Sequence, residues 1–111
     1  MTKKITAAIK VDFGSGLRLG AGKVRLLEKI AETGSISAAA RAMEMSYRRA
    51  WLLIEELNTI FKVPVVETAA GGSGGGGAKI TAHGTRLIAL YHDLQKETDA
   101  LVEAKFANLQ T

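Results

Sequence analysis

Between Lys23 and Phe61 the apolar residues keep helical spacing, but the run is cut twice, at Gly34 and at Ser46. Three consecutive helices with a short middle one is the tightest constraint this chain sets on its fold. Val24, Leu27, Ile30 and Ala31 share one face of a first helix, predicted over Lys23 to Glu32. Gly34 follows its last turn, where a residue that tolerates a left-handed conformation ends a helix. Ser35 or Ser37 can cap the second helix. That helix is predicted over about Ser37 to Met43, with Ile36, Ala39, Ala40 and Met43 spaced i, i+3, i+4, i+7. Its alanines permit close approach of a neighbour. Ser46 then caps a third helix that runs to about Phe61 and turns Ala50, Ile54, Leu57 and Phe61 inward. Pro64 cannot continue it.

The flanks read as strands and one long helix. In ITAAIKVDF, residues 5–13, Ile5, Ile9, Val11 and Phe13 stand mostly at alternate positions, as in a strand. Gly14, Ser15 and Gly16 make a turn, and residues 17–19 form a short second strand. Residues 63–68 and 78–81 are two more strands around AAGGSGGGG. Thr81 caps a final helix over Ala82 to Asn108, carrying Leu87, Leu90, Tyr91, Leu94, Leu101 and Val102. Helix, short helix, tight turn, helix and hairpin is the order of a winged helix-turn-helix. The expected architecture is mainly α with a small β wing (α+β). The winged helix-turn-helix would span 1–94, with N-terminal strands at 5–19, the helix-turn-helix at 23–62 and the wing at 63–81. The C-terminal helix, 82–111, would serve dimerisation. No internal repeat and no second domain is apparent.

Composition narrows the function. The chain has 111 residues, enough for one core, and no cysteine, so no disulfide or thiolate metal site exists. MTKKITAAIK lacks the apolar stretch of a signal peptide, and no run approaches the ~20 residues of a membrane span. A cytoplasmic protein is expected. Residues 1–49 hold ten Lys/Arg against four Asp/Glu, whereas residues 50–111 hold five against seven. The excess of positive charge therefore lies in the half that carries the helix-turn-helix, which suits phosphate binding through one face. Catalysis finds little support: His83 and His92 are not spaced as helical metal ligands. Gly72 to Gly77 has the spacing of a nucleotide-binding loop, but Ala78 separates Gly77 from Lys79, and Ile80 stands where a magnesium-binding hydroxyl belongs.

At 100° per residue, Arg48, Leu52, Glu55 and Thr59 point away from the inward stripe of the third helix. Arg49 lies nearby on the exposed side, and Tyr47 and Trp51 flank the core stripe. An arginine can bond a guanine edge with two parallel hydrogen bonds or clamp a phosphate, and Leu52 could touch a thymine methyl. Ser46 and the free amides of the first turn could bind a backbone phosphate. Glu55 and Glu56 limit how far along the helix DNA can run. Trp51 reads as core or helix packing, while Tyr47 either braces the turn or reaches a phosphate. The glycine run is either a tip without function, a linker-like segment, or a wing whose Gly74, Gly75 and Gly76 lie against a sugar-phosphate backbone, the reading favoured here. Lys79 at its exit would add a phosphate contact. The final helix outlasts what one wing needs, so Leu87, Tyr91, Leu94, Leu101 and Val102 are expected to meet a second copy. Packing back on the same domain is the alternative. A twofold dimer would set two reading helices about 34–36 Å apart, or a multiple of that.

The strings LLEKIAETGSISAAARAMEMSYRRAW, GGSGGGG and ITAHGTRLIALY together resemble the N-terminal DNA-binding domain of the ModE family of molybdate-responsive regulators, itself akin to the LysR-type helix-turn-helix. The resemblance covers roughly residues 9–94. It implies a winged-helix dimer acting at promoters. Ser35 and Ser37 would open the second helix, Ser46, Tyr47, Arg48 and Arg49 the reading helix, and Gly71 to Gly77 the wing. Full-length members sense molybdate through a further C-terminal domain. No molybdate-binding domain is expected here, hence no cofactor, and any effector would act through a separate sensor protein. The expectation is thus a non-enzymatic, sequence-specific regulator that binds double-stranded DNA. The alternative is a protein-interaction module on the same scaffold.

Overall fold

The computed structural model describes residues 4–68 and 77–109. In chain order the elements are β1 (Lys10–Asp12), β2 (Arg18–Gly20), α1 (Ala21–Thr33), α2 (Ile36–Ala42), α3 (Tyr47–Ile60), β3 (Val66–Thr68), β4 (Ala78–Ile80) and α4 (Ala82–Phe106), with a single 3₁₀ turn at Ala107–Leu109. The result is mainly helical, with two antiparallel two-stranded sheets, β1–β2 and β3–β4. No described helix is long and apolar enough to cross a membrane.

Capping fixes the helix ends. Gly34 closes α1 at φ 69°, a left-handed conformation, and its amide donates to the Ile30 carbonyl. Ser35, not Ser37, caps α2: its Oγ accepts from the Ala38 amide at 3.1 Å, while Ser37 lies exposed in the first turn. Ser46 caps α3 by accepting from the Arg49 amide at 3.1 Å, and Thr81 caps α4 by accepting from Gly84 at 3.0 Å. The turn between α2 and α3 is tight enough to hold Glu44 at φ 54°.

The core gathers Val24, Leu26, Leu27 and Ile30 of α1, Ile36, Ala39 and Ala40 of α2, and Ala50, Ile54 and Leu57 of α3. Val65, Val66 and Ala78 close it from the wing, Leu19 from β2, and Leu87 and Tyr91 from α4. α1 touches α2, α3, α4, β2 and β4, so its buried arc is wide enough to take in Leu26 as well. Ala31, expected inside, is exposed. Phe61 falls just past the end of α3 and is half-buried, its ring edge-on to Phe13 at 5.3 Å.

Beyond the strand expected over residues 63–68, which forms only at Val66–Thr68, two expectations need correction. The strand expected over residues 5–13 forms only at Lys10–Asp12. Ile5, Ala7 and Ile9 do alternate inward, but their neighbour is α4. The Ala7 amide donates to Asp99 Oδ1 at 2.8 Å, and Gln95 Nε2 donates to the Ala7 carbonyl at 2.8 Å. The Tyr91 hydroxyl donates to the Ile9 carbonyl at 3.0 Å. Burial pushes the Tyr91 phenol up, which keeps it a proton donor. Side chains one helical turn apart thus supply the partners that a second strand would have supplied.

The second correction concerns α4. Leu87 and Tyr91 are 8% and 5% exposed, covered by the chain's own core and N-terminal segment, so they have no surface left for a partner. Leu94 and Leu101 are 40% and 58% exposed, and Val102 is half-buried. The apolar positions of α4 split between two faces, and Leu90 joins Leu94 and Leu101 on the open one.

Candidate nucleic-acid interface

α3 is fixed from below by Ala50, Ile54 and Leu57, which leaves its other faces open in three lanes. Arg48, Leu52, Glu55 and Thr59 form the outermost lane, all exposed, with Leu52 at 46%. Tyr47 and Trp51, one turn apart, form one flank and are both exposed. Trp51, 41% exposed, is therefore not a core residue. Arg49, Leu53 and Glu56 form the other flank, which faces β1, β2 and the start of α1. α2 packs against α3 and braces its N-terminal turns.

A groove of about 410 Å³ opens along that second flank. Lys10 of β1, Arg18 of β2, Lys23 of α1 and Arg49 of α3 line it, with Glu56 on its wall. Lys23 Nζ reaches Glu56 Oε2 at 3.0 Å and also donates to the Arg18 carbonyl. Glu56 is thereby neutralised in place, whereas Glu55 has no ion pair among the described residues. Lys10, Arg18 and Lys23 were not singled out from the sequence. The only signal was the positive excess of the first half, which does not say that a hairpin folds against α3.

The wing packs against α1 and α4 and is tied to α3 through Asn58. β3 and β4 pair Val66 with Ile80, Glu67 with Lys79 and Thr68 with Ala78. Lys79 is exposed, with Glu67 directly opposite across the strand pair. Gly74, Gly75 and Gly76 lie outside the described residues. The wing is anchored at its base: the Ala78 amide donates to the Gly34 carbonyl at 2.9 Å, and Asn58 Oδ1 accepts from the Val65 amide at 2.8 Å. The two histidines have separate neighbours: His83 stacks edge-on to Phe61, and His92 Nε2 pairs with Glu28 Oε2 at 2.8 Å, tying α4 to α1. Among the described residues no three side chains of metal-ligating type come together.

The model of bacterial regulatory helix-turn-helix proteins of the lysR family matches residues 22–85, from the start of α1 through the wing into α4. The chain belongs to that family. Its curated relatives include the molybdenum-pterin-binding protein MopB of Rhodobacter capsulatus, 49% identical over 77 residues, which are 69% of this chain and 28% of the relative. The DNA-binding transcriptional dual regulator ModE of Escherichia coli K12 is 46% identical over 83 residues, 71% of this chain and 32% of that one. The molybdenum transport protein ModE of Azotobacter vinelandii is 35% identical over 100 residues, 90% of this chain and 37% of its own length. The chain thus spans about a third of these relatives. A solved LysR family transcriptional regulator superposes with a TM-score of 0.57 at 20% identity, covering 82% of this chain and 29% of that one, a likeness of fold.

Proposed function

We propose that the chain binds double-stranded DNA as a sequence-specific transcriptional regulator, with the first two turns of α3 in the major groove. The observation that carries this is the outer lane of α3. Arg48 and Leu52 stand free on a helix whose opposite side is locked into the core. One can pair with a guanine edge and the other can meet a thymine methyl. Arg49, the first-turn amides behind Ser46, the hydroxyl of Tyr47, and Ser35 and Ser37 at the start of α2 would contact phosphates. Gly74, Gly75, Gly76 and Lys79 of the wing would follow the backbone. The role is one of binding, with no reaction catalysed. The names of the relatives support a regulator acting on molybdenum-related genes.

The exposed Leu90, Leu94 and Leu101 support a homodimer through α4. Two reading helices would then meet an inverted repeat whose halves are about 34–36 Å apart or a multiple of it.

Selection of bound duplexes from a random-sequence pool by the purified protein tests this. Enrichment of an inverted repeat is the expected result. A pool that leaves the protein unenriched and unretained at about 0.15 M salt, where non-specific contacts are already weak, sinks the reading. Arg48→Ala should cost about 1–3 kcal/mol on the selected site and relax preference at one base position.

A further inference from the structure

We propose that the groove between the β1–β2 hairpin and α3 is a second contact to DNA, holding a backbone phosphate beside the reading helix. This rests on the DNA-binding reading above and extends the interface to an element that neither the helix-turn-helix nor the wing includes.

Charge is the first argument. Lys10, Arg18, Lys23 and Arg49 come from four separate elements and converge on one groove of about 410 Å³. Its one carboxylate, Glu56, is already held by Lys23, whose side chain is only 15% exposed. Lys10 and Arg49 have no ion pair among the described residues. Arg18 meets Asp12 at 3.6 Å with both side chains more than half exposed, a contact worth little and readily exchanged for a phosphate. A comparable space on the opposite side of α1, about 680 Å³, is lined by Arg25 and Lys29 against Glu28, Glu32 and Glu44. Excess carboxylate there repels a polyanion, so the cationic groove is a selected place and not the general character of the surface.

Shape is the second. Gly20 and Gly22 leave part of the wall without side chains, and a Cβ added at Gly22 would meet nothing within 4 Å. A sugar-phosphate strand can therefore approach the backbone there. Path is the third. A strand lying along the outer lane of α3 meets the unpaired Glu55 one turn beyond Trp51. A strand that leaves the first turn on the Arg49 side meets Lys10 and Arg49, which have no ion pair among the described residues, and the weakly held Arg18 instead. The hairpin thus bears on the backbone flanking the bases that α3 would read, and contributes affinity without sequence preference.

The test uses the full chain and its selected duplex, with a scrambled duplex beside it, over 50–200 mM salt. In the Lys10→Gln/Arg18→Gln variant both duplexes should weaken by the same factor, roughly tenfold, and the slope of log affinity against log salt should shrink by about 2. Gly22→Glu, which sets a carboxylate into the open wall and suits a first helical turn, should weaken both in the same way. Melting temperatures of all three proteins report whether the fold is kept. Unchanged affinity and slope in folded variants, with wild-type binding intact, would overturn the hairpin contact and leave the DNA-binding reading standing. A wild-type chain that retains no duplex overturns both. The shared chemistry is phosphate, so inorganic phosphate is titrated into the free protein at constant ionic strength. Absence of saturation below millimolar concentration supports a DNA strand as the occupant, and saturation below it overturns that assignment.

Discussion

Two antiparallel hairpins lie beside α3, each three residues long per strand, and each sets an acid opposite a base: Asp12 with Arg18, Glu67 with Lys79. They are attached in different ways. The wing is held by buried Val65, Val66 and Ala78 and, at its base, through its backbone. Gly34 and Val65 carbonyls accept from Ala78 and Thr81, the Thr81 hydroxyl donates to the Pro64 carbonyl, and Asn58 bridges Val65 and Val66. The N-terminal hairpin is held by side chains: buried Leu19, the Phe13 ring on Phe61, and the Lys23 ammonium under the Arg18 carbonyl. A backbone-held hairpin has a fixed position whatever its exposed residues are, so its tip is free to be glycine. A side-chain-held hairpin depends on the residues that tether it, and its charges are positioned by the same contacts.

That contrast can be broken at its strongest point first. A Cβ at Gly84 would press into the Val65 carbonyl and the Ile80 side chain at the base of the wing. Gly84→Ala should therefore destabilise the protein by about 3 kcal/mol in urea unfolding, the upper end for overpacking. Asn58→Ala strips the Val65 amide of its acceptor and should cost about 2 kcal/mol in the same assay. Phe13→Ala removes a half-exposed ring from the N-terminal hairpin, and a loss of about 1 kcal/mol is expected from the area involved. A larger loss than at Asn58 would reverse the ranking of the two attachments. Lys79→Gln is the smallest: stability should hold within about 0.5 kcal/mol, and the salt slope of DNA binding should shrink by about 0.9. No change in slope would mean that Glu67 already occupies that charge.

The sequence made the helices legible because their ends are written in single residues. Gly34, Ser46 and Thr81 end or start helices where their chemistry says they should. What it could not supply was the identity of neighbours. Alternation at Ile5, Ile9 and Val11 specifies one-sided burial of an extended backbone, and that is what exists up to the exposed Phe13, but it reads the same whether a strand or a helix covers it. The stripe on α4 likewise names apolar positions without saying that Leu87 and Tyr91 are covered from within while Leu94 and Leu101 are not. Ser35 and Ser37 were equal candidates for a cap because both serines flank Ile36 and either hydroxyl has a first-turn amide three residues on. For the interface, Arg48, Arg49 and Leu52 followed from angles on one helix. Lys10, Arg18 and Lys23 join Arg49 only through tertiary packing, and no local spacing encodes it.

The clasp of the N-terminal segment on α4 also has a consequence in time. Ala7 and Asp99 are 92 positions apart, so the Ala7 amide, made earlier, waits for Asp99 to be synthesised before it finds its partner. At ribosomal speeds of about 5–20 residues per second, the wait is roughly 5–20 s. α1, α2 and α3 need no such delay, because their mutual contacts close over short loops. A helix-turn-helix unit can therefore collapse while the strand-like leader is still loose, and emergence of the Gln95–Asp99 turn is the event that fastens the two ends of the described chain together.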